Sequence, residues 1–96
     1  MAARERVGSI DVDAGIIWVG DPCYVLGDEA SSRVTSWDEF CTKSFDPANK
    51  VAEGVVQPLG QGVGLEVSTA YGDGSYPVFV RRNSEGRVVE VIIEVG

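Results

Sequence analysis

Two runs, Tyr76–Arg82 and Arg87–Val95, constrain the fold of this chain more than any other segment. Both are rich in β-branched residues, and Asn83-Ser84-Glu85-Gly86 joins them. Such a pattern reads as an antiparallel hairpin. With Arg82 set opposite Arg87, Val80 faces Val89, Val78 faces Val91 and Tyr76 faces Ile93. All three pairs are apolar and share one side. A slip of one residue would put Arg81 against Val89, so this register is the expected one. The other side carries Phe79, Val88 and Ile92 among Arg81, Glu90 and Glu94.

The segments upstream carry the same signature. Val63 to Tyr71 alternates, with Val63, Leu65, Val67, Thr69 and Tyr71 on one face and Gly64, Glu66, Ser68 and Ala70 on the other. That pattern predicts a half-buried strand with Glu66 toward water. Gly54–Gln57 predicts a strand ended by Pro58, and Leu59–Gly62 a turn. Val7–Asp13 and Ile16–Val19 predict a hairpin across Asp13-Ala14-Gly15. Gly20-Asp21-Pro22 interrupts the second of these strands. Cys23–Leu26 then reads as a short extended piece, closed by Gly27-Asp28-Glu29.

One helix is predicted near residues 36–45. Ser36-Trp37-Asp38-Glu39 fits a capping box, in which the serine oxygen accepts from the amide near Glu39 and the glutamate reaches back. Asp38 and Glu39 also lie at the positive end of the helix dipole. Trp37, Phe40, Cys41 and Ser44 form one largely apolar face, and Asp46-Pro47 ends the helix.

These elements predict an α+β fold, mainly antiparallel β, of about six strands with one short α-helix. A partly closed barrel or small sandwich fits equally well. The 96 residues suit a single domain over 1–96, with residues 1–6 as a flexible N-terminal arm.

Composition narrows the function classes. The net charge is −7, from 15 acidic and 8 basic residues, and the lysines are Lys43 and Lys50. No basic run exists to neutralise phosphates, so no nucleic-acid partner is expected. No apolar stretch is long enough to span a bilayer, and the first residues lack the apolar run of a signal peptide, so a cytoplasmic protein without a membrane partner is expected. Cys23 and Cys41 suit that compartment as free thiols, each read as buried and inert, and a disulfide between them is the alternative if the fold brings them together. The chain contains no histidine. That removes Ser-His-Asp and Cys-His mechanisms and histidine-containing zinc sites, and two cysteines cannot build a four-cysteine site. No metal and no cofactor are expected.

Two loops stand out as candidate sites. Tyr71-Gly72-Asp73-Gly74-Ser75-Tyr76 places a carboxylate between two glycines and two tyrosines. Its glycines also suit an ordinary turn. Gly20-Asp21-Pro22-Cys23-Tyr24 places Asp21 at a strand end, where it can bind a ligand or cap the turn with its own side chain. Asp11, Asp13, Asp21, Asp28 and Glu29 do not follow the spacing of a calcium loop and read as an acidic surface. Gly60-Gln61-Gly62-Val63-Gly64 leads into a strand and lacks the dinucleotide spacing.

Gly20-Asp21-Pro22-Cys23-Tyr24 after an early turn, together with Tyr71-Gly72-Asp73-Gly74-Ser75-Tyr76-Pro77-Val78 and Glu85–Val91, resembles a family of uncharacterised bacterial and phage proteins catalogued as a domain of unknown function. The resemblance covers both ends of the chain and not the helix. It transfers no reaction. It implies that the Asp21 and Asp73 loops belong to one surface formed by Asp21, Tyr24, Asp73 and Tyr76, with Tyr71 as a further candidate contact. The small size and Val/Gly/Asp-rich composition are compatible with a phage or actinobacterial origin.

The favoured function is a non-enzymatic binding or accessory protein that engages a protein partner or small ligand through these loops. The alternative is a small carboxylate- or metal-dependent hydrolase or isomerase with Asp21 and Asp73 as an acid–base pair. A third role is structural: if Val88–Val95 lies at a sheet edge it can pair with a second copy as a homodimer.

Overall fold

The structure is a computed structural model and describes residues 3–28 and 30–96. Glu29, grouped above with the acidic surface, and residues 1 and 2 of the expected arm lie outside the described residues. The fold is α+β and mainly antiparallel. Among the described residues, seven strands form two open sheets: β1 (Glu5–Val12), β2 (Ile16–Val19), β3 (Lys50–Ala52), β4 (Val55–Val56), β5 (Leu65–Ser68), β6 (Gly74–Arg82) and β7 (Val88–Ile93). One sheet runs β1-β6-β7 and the other β2-β5-β4-β3. The helices are α1 (Cys23–Leu26) and α2 (Trp37–Ser44), with a 3-10 turn at Pro47–Asn49. Among the described residues no closed barrel forms, and no helix is long and apolar enough to cross a membrane.

The chain divides into two compact units, Met1–Ile16 with Thr69–Gly96, and Ile17–Ser68. In the first unit β6 is the central strand. Its buried residues Tyr76 and Val80, together with Val12 of β1, supply the core. β1 starts at Glu5, so residues 5 and 6 of the expected arm are paired in sheet, opposite Val80 and Phe79. Arg82 bonds Glu5 at 3.2 Å. On the other side of the sheet the Arg4 guanidinium lies 4.2 Å from the centre of the Phe79 ring and pairs with Glu94.

The closing hairpin forms, but its register differs from the expected one by two residues. Val80 pairs with Val91, Val78 with Ile93, and Arg81 with Glu90, with a bulge before the Arg82–Val88 pair. A shift of two keeps every side chain on its face, so apolar pairing cannot tell the two registers apart. The turn decides. Asn83 accepts the amides of Glu85 and Arg87 on its side chain and donates its own N–H to the Arg87 carbonyl. These bonds commit Arg87 to the loop, so it cannot stand opposite Arg82. The observed register also sets Arg81 against Glu90, 3.1 Å apart. β7 ends at Ile93 rather than Val95. Pro77 accepts the Glu94 amide but has no N–H to return, so the ladder stops there.

The expected hairpin of β1 with β2 does not form; the two strands belong to different sheets. The Gly15 carbonyl instead accepts the backbone amide of Thr69, with the Thr69 hydroxyl 3.0 Å away. A three-residue turn is compatible with either outcome, and the long-range bonds win.

In the second unit, α2 is bounded as expected. Ser36 Oγ accepts the Glu39 amide at 3.1 Å. Glu39 reaches one residue further back than the capping box requires, to the hydroxyl and amide of Thr35. The Thr35 hydroxyl and then its amide hold the Glu39 carboxyl below its ordinary pKa. Phe40 is buried, stacked on Trp37 and edge-on to Trp18, with ring centroids 5.6 Å apart in both pairs.

α1 corrects the expected extended piece at Cys23–Leu26. Pro22 has φ −61°, which suits the start of a helical turn, and Asp21 Oδ1 accepts the Cys23 amide at 2.9 Å. The residues that end β2 therefore also start a turn. The turn leaves Cys23 exposed rather than buried, while Cys41 is half-buried; both are free thiols. β3 has no counterpart among the expected strands, since three residues carry no readable period.

Glu66 is the main departure from the alternation argument. The pattern puts it on the water side, yet it is only 4% exposed. The Gly15–Thr69 hydrogen bond and the close approach of Gly20 to Gly64 define one antiparallel register, which sets Trp18 opposite Glu66. Phe40 of α2 packs on Trp18, and Ser44, one helical turn later, donates to Glu66 Oε2 at 2.6 Å. The helix therefore covers the face that carries the glutamate. Ser44→Ala leaves that buried carboxylate without this donor and is expected to cost about 1–3 kcal/mol. Glu66→Gln retains an acceptor for Ser44 and removes the buried charge, so it is expected to be neutral or stabilising. Urea unfolding of both variants checks this; a neutral Ser44→Ala would remove the argument.

Candidate functional site

The first candidate loop lies entirely in the unit built on β1, β6 and β7. Gly72 has φ +73°, a conformation that L side chains rarely adopt, and it turns the chain between Thr69 and β6. Its carbonyl accepts the Thr69 hydroxyl and the Tyr76 hydroxyl, the latter at 2.7 Å. Thr69 is itself buried and tied to Gly15, so the turn is held from three directions. Tyr76 is 8% exposed: it lies beneath the turn with its hydroxyl committed to the backbone. Tyr71 is 81% exposed and Asp73 is exposed on the same turn. The turn thus buries one of its tyrosines as a prop and presents the other beside a carboxylate.

The second candidate loop lies in the other unit. Asp21 is exposed, with one carboxylate oxygen engaged by the Cys23 amide. Tyr24 is half-buried; its carbonyl accepts the Arg33 amide at 2.8 Å, and the Arg33 guanidinium stands 5.5 Å from its ring centre. Arg33 carries no signal in the sequence. Its partner is nine residues away through an irregular loop, where no period relates the two. The five candidate residues therefore divide between the units: Tyr71, Asp73 and Tyr76 share one turn, and Asp21 and Tyr24 share one helical turn.

Chemically, each loop offers a carboxylate and an aromatic side chain. Among the described residues, no group of three or more Asp, Glu or Cys side chains is gathered as a metal ion requires. No family model matches the chain, and neither a curated protein nor a solved structure matches it.

Proposed function

We propose that this is a non-enzymatic binding or accessory protein whose contact element centres on the Tyr71–Asp73 turn, with the Asp21 loop as a second element. One observation carries the reading: an almost fully exposed tyrosine stands on a turn whose backbone is already pinned. An exposed aromatic on a mobile loop must be ordered before it can bind. Here Thr69 and Tyr76 hold the Gly72 carbonyl in advance, so the ordering cost falls on the tyrosine side chain alone. Tyrosine gives a large contact area with few rotatable bonds, and it is enriched among residues that dominate protein interfaces. Asp73 beside it favours a partner that presents a cationic or hydrogen-bond-donating group.

The test compares the wild type with two variants that the fold should tolerate. Tyr71→Ala removes an exposed side chain. Asp21→Asn with Asp73→Asn removes two charges, and the first of these changes keeps a side-chain oxygen that can accept the Cys23 amide. Both variants should unfold within about 0.5 kcal/mol of the wild type. Affinity capture from the native host should return a partner with the wild type and lose it with Tyr71→Ala. Capture of the same partner by all three proteins would reject the turn as the contact element.

A further inference from the structure

We infer that the edge of β7 left open by the described strands is a self-pairing strand: two copies of this chain join β7 to β7 antiparallel about Val91, giving one continuous six-stranded sheet. The hydrogen-bond parity of β7 carries the argument. The Glu94 amide points inward to Pro77, and the Val95 carbonyl points outward, where it accepts the Ala70 amide at 2.9 Å. Even-numbered residues of β7 therefore bond to β6, and Val91 and Ile93 turn their N–H and C=O groups away from the sheet. The stretch open to a partner runs from Val89, the extra residue of the bulge, to Ile93, beyond which Ala70 takes the Val95 carbonyl. Its centre is Val91, which is 62% exposed.

A two-fold axis at Val91 uses this stretch without conflict. Val91 meets its own copy in a hydrogen-bonded pair, and Val89 meets Ile93. On the opposite face Glu90 meets Ile92, so no two carboxylates stand directly opposite, and Glu90 keeps its ion pair with Arg81. Shifting the axis to Ile92 pairs Val91 with Ile93 through the same outward groups but sets Glu90 directly opposite Glu94, which like charge disfavours. Of the other sheet edges, β3 has three residues and begins at Lys50, and β2 has four residues. An isologous contact of this kind closes on itself and stops at the dimer.

Two like-charged copies of net charge −7 repel each other, so association should tighten as salt rises. A single pair of strands also buries less than a standard interface, so the dimer is expected to be weak.

Sedimentation equilibrium of the full chain over a concentration series, at low and at physiological salt, tests the proposal. The wild type should approach a dimer with no larger species, and more so at the higher salt. Val91→Lys places two lysines at the axis and should weaken the dimer at least tenfold, while Val91→Thr, which keeps a β-branched side chain, should dimerise like the wild type. Amide exchange at Val91 and Ile93 should slow with concentration, and this readout distinguishes a lost dimer from a lost fold. A wild type that stays monomeric at millimolar concentration would overturn the proposal. So would a dimer that Val91→Lys leaves intact, or a monomer whose β7 edge is taken by a different protein.

Discussion

Gly64→Ala is expected to lower stability by about 2–4 kcal/mol and to reduce the melting temperature by roughly 10 °C or more. Two costs add at this position. Gly64 has φ +96°, where an alanine is strained. The added Cβ would also lie 2.7 Å from Trp18 Cη2 and 2.9 Å from the Val19 carbonyl oxygen, with the indole held in place by Phe40. Neither neighbour is a flexible side-chain tip that can move aside. Gly62→Ala separates the two costs. Gly62 has φ +80°, but nothing lies within 4 Å of its Cβ position, so it should show the backbone cost alone. Thermal unfolding followed by circular dichroism measures both. If the two variants lose equal stability, the clash with Trp18 is not real.

Phe40→Ala is expected to cost about 3–5 kcal/mol, a large share of the stability of a domain this size. Phe40 is the point at which α2 meets the β2-β5-β4-β3 sheet, and α2 is too short to persist without packing. Both tryptophans of the chain touch this ring, so their emission reports its loss directly. The folded variant should show a red-shifted spectrum and an earlier urea midpoint. Trp37→Ala should cost much less, because Trp37 is 59% exposed and covers Phe40 from outside. A Phe40→Ala variant within about 1 kcal/mol of the wild type, well under the usual cost of such a truncation, would mean that the helix is anchored elsewhere, through Ser44 and Glu66.

How far the fold can be read from the sequence depends on the range of the interactions. α2 is legible to within a residue because its start is written in four consecutive residues, Ser36 to Glu39, and its stop in Asp46-Pro47. The closing hairpin is legible as a hairpin, and its register only to within two residues. The side-chain period of two is blind to a two-residue shift, and the Asn83 bonds that break the tie depend on loop geometry. α1 is not legible, because Asp21-Pro22 ends a strand and starts a turn with equal ease. The candidate residues split in the same way. Asp21, Asp73 and Tyr71 are visible as types in suggestive loops. That Tyr76 is a prop and Tyr71 the exposed partner is not visible, since both flank the same glycines.

The sequence by itself determined the class: a histidine-free, acidic chain of short alternating strands with a single well-capped helix, which excludes most familiar catalytic constellations. Those conclusions need only composition and contacts within a few residues. The tertiary structure alone decided which strands pair, that β1 joins β6 instead of β2, that Glu66 lies under α2, and that β7 has an open edge among the described strands. Each of those outcomes depends on bonds between residues far apart in the chain, such as Gly15 with Thr69 and Ala70 with Val95. A local pattern permits several such pairings at nearly equal cost, and their relative free energies emerge only when all of them compete in one packed chain.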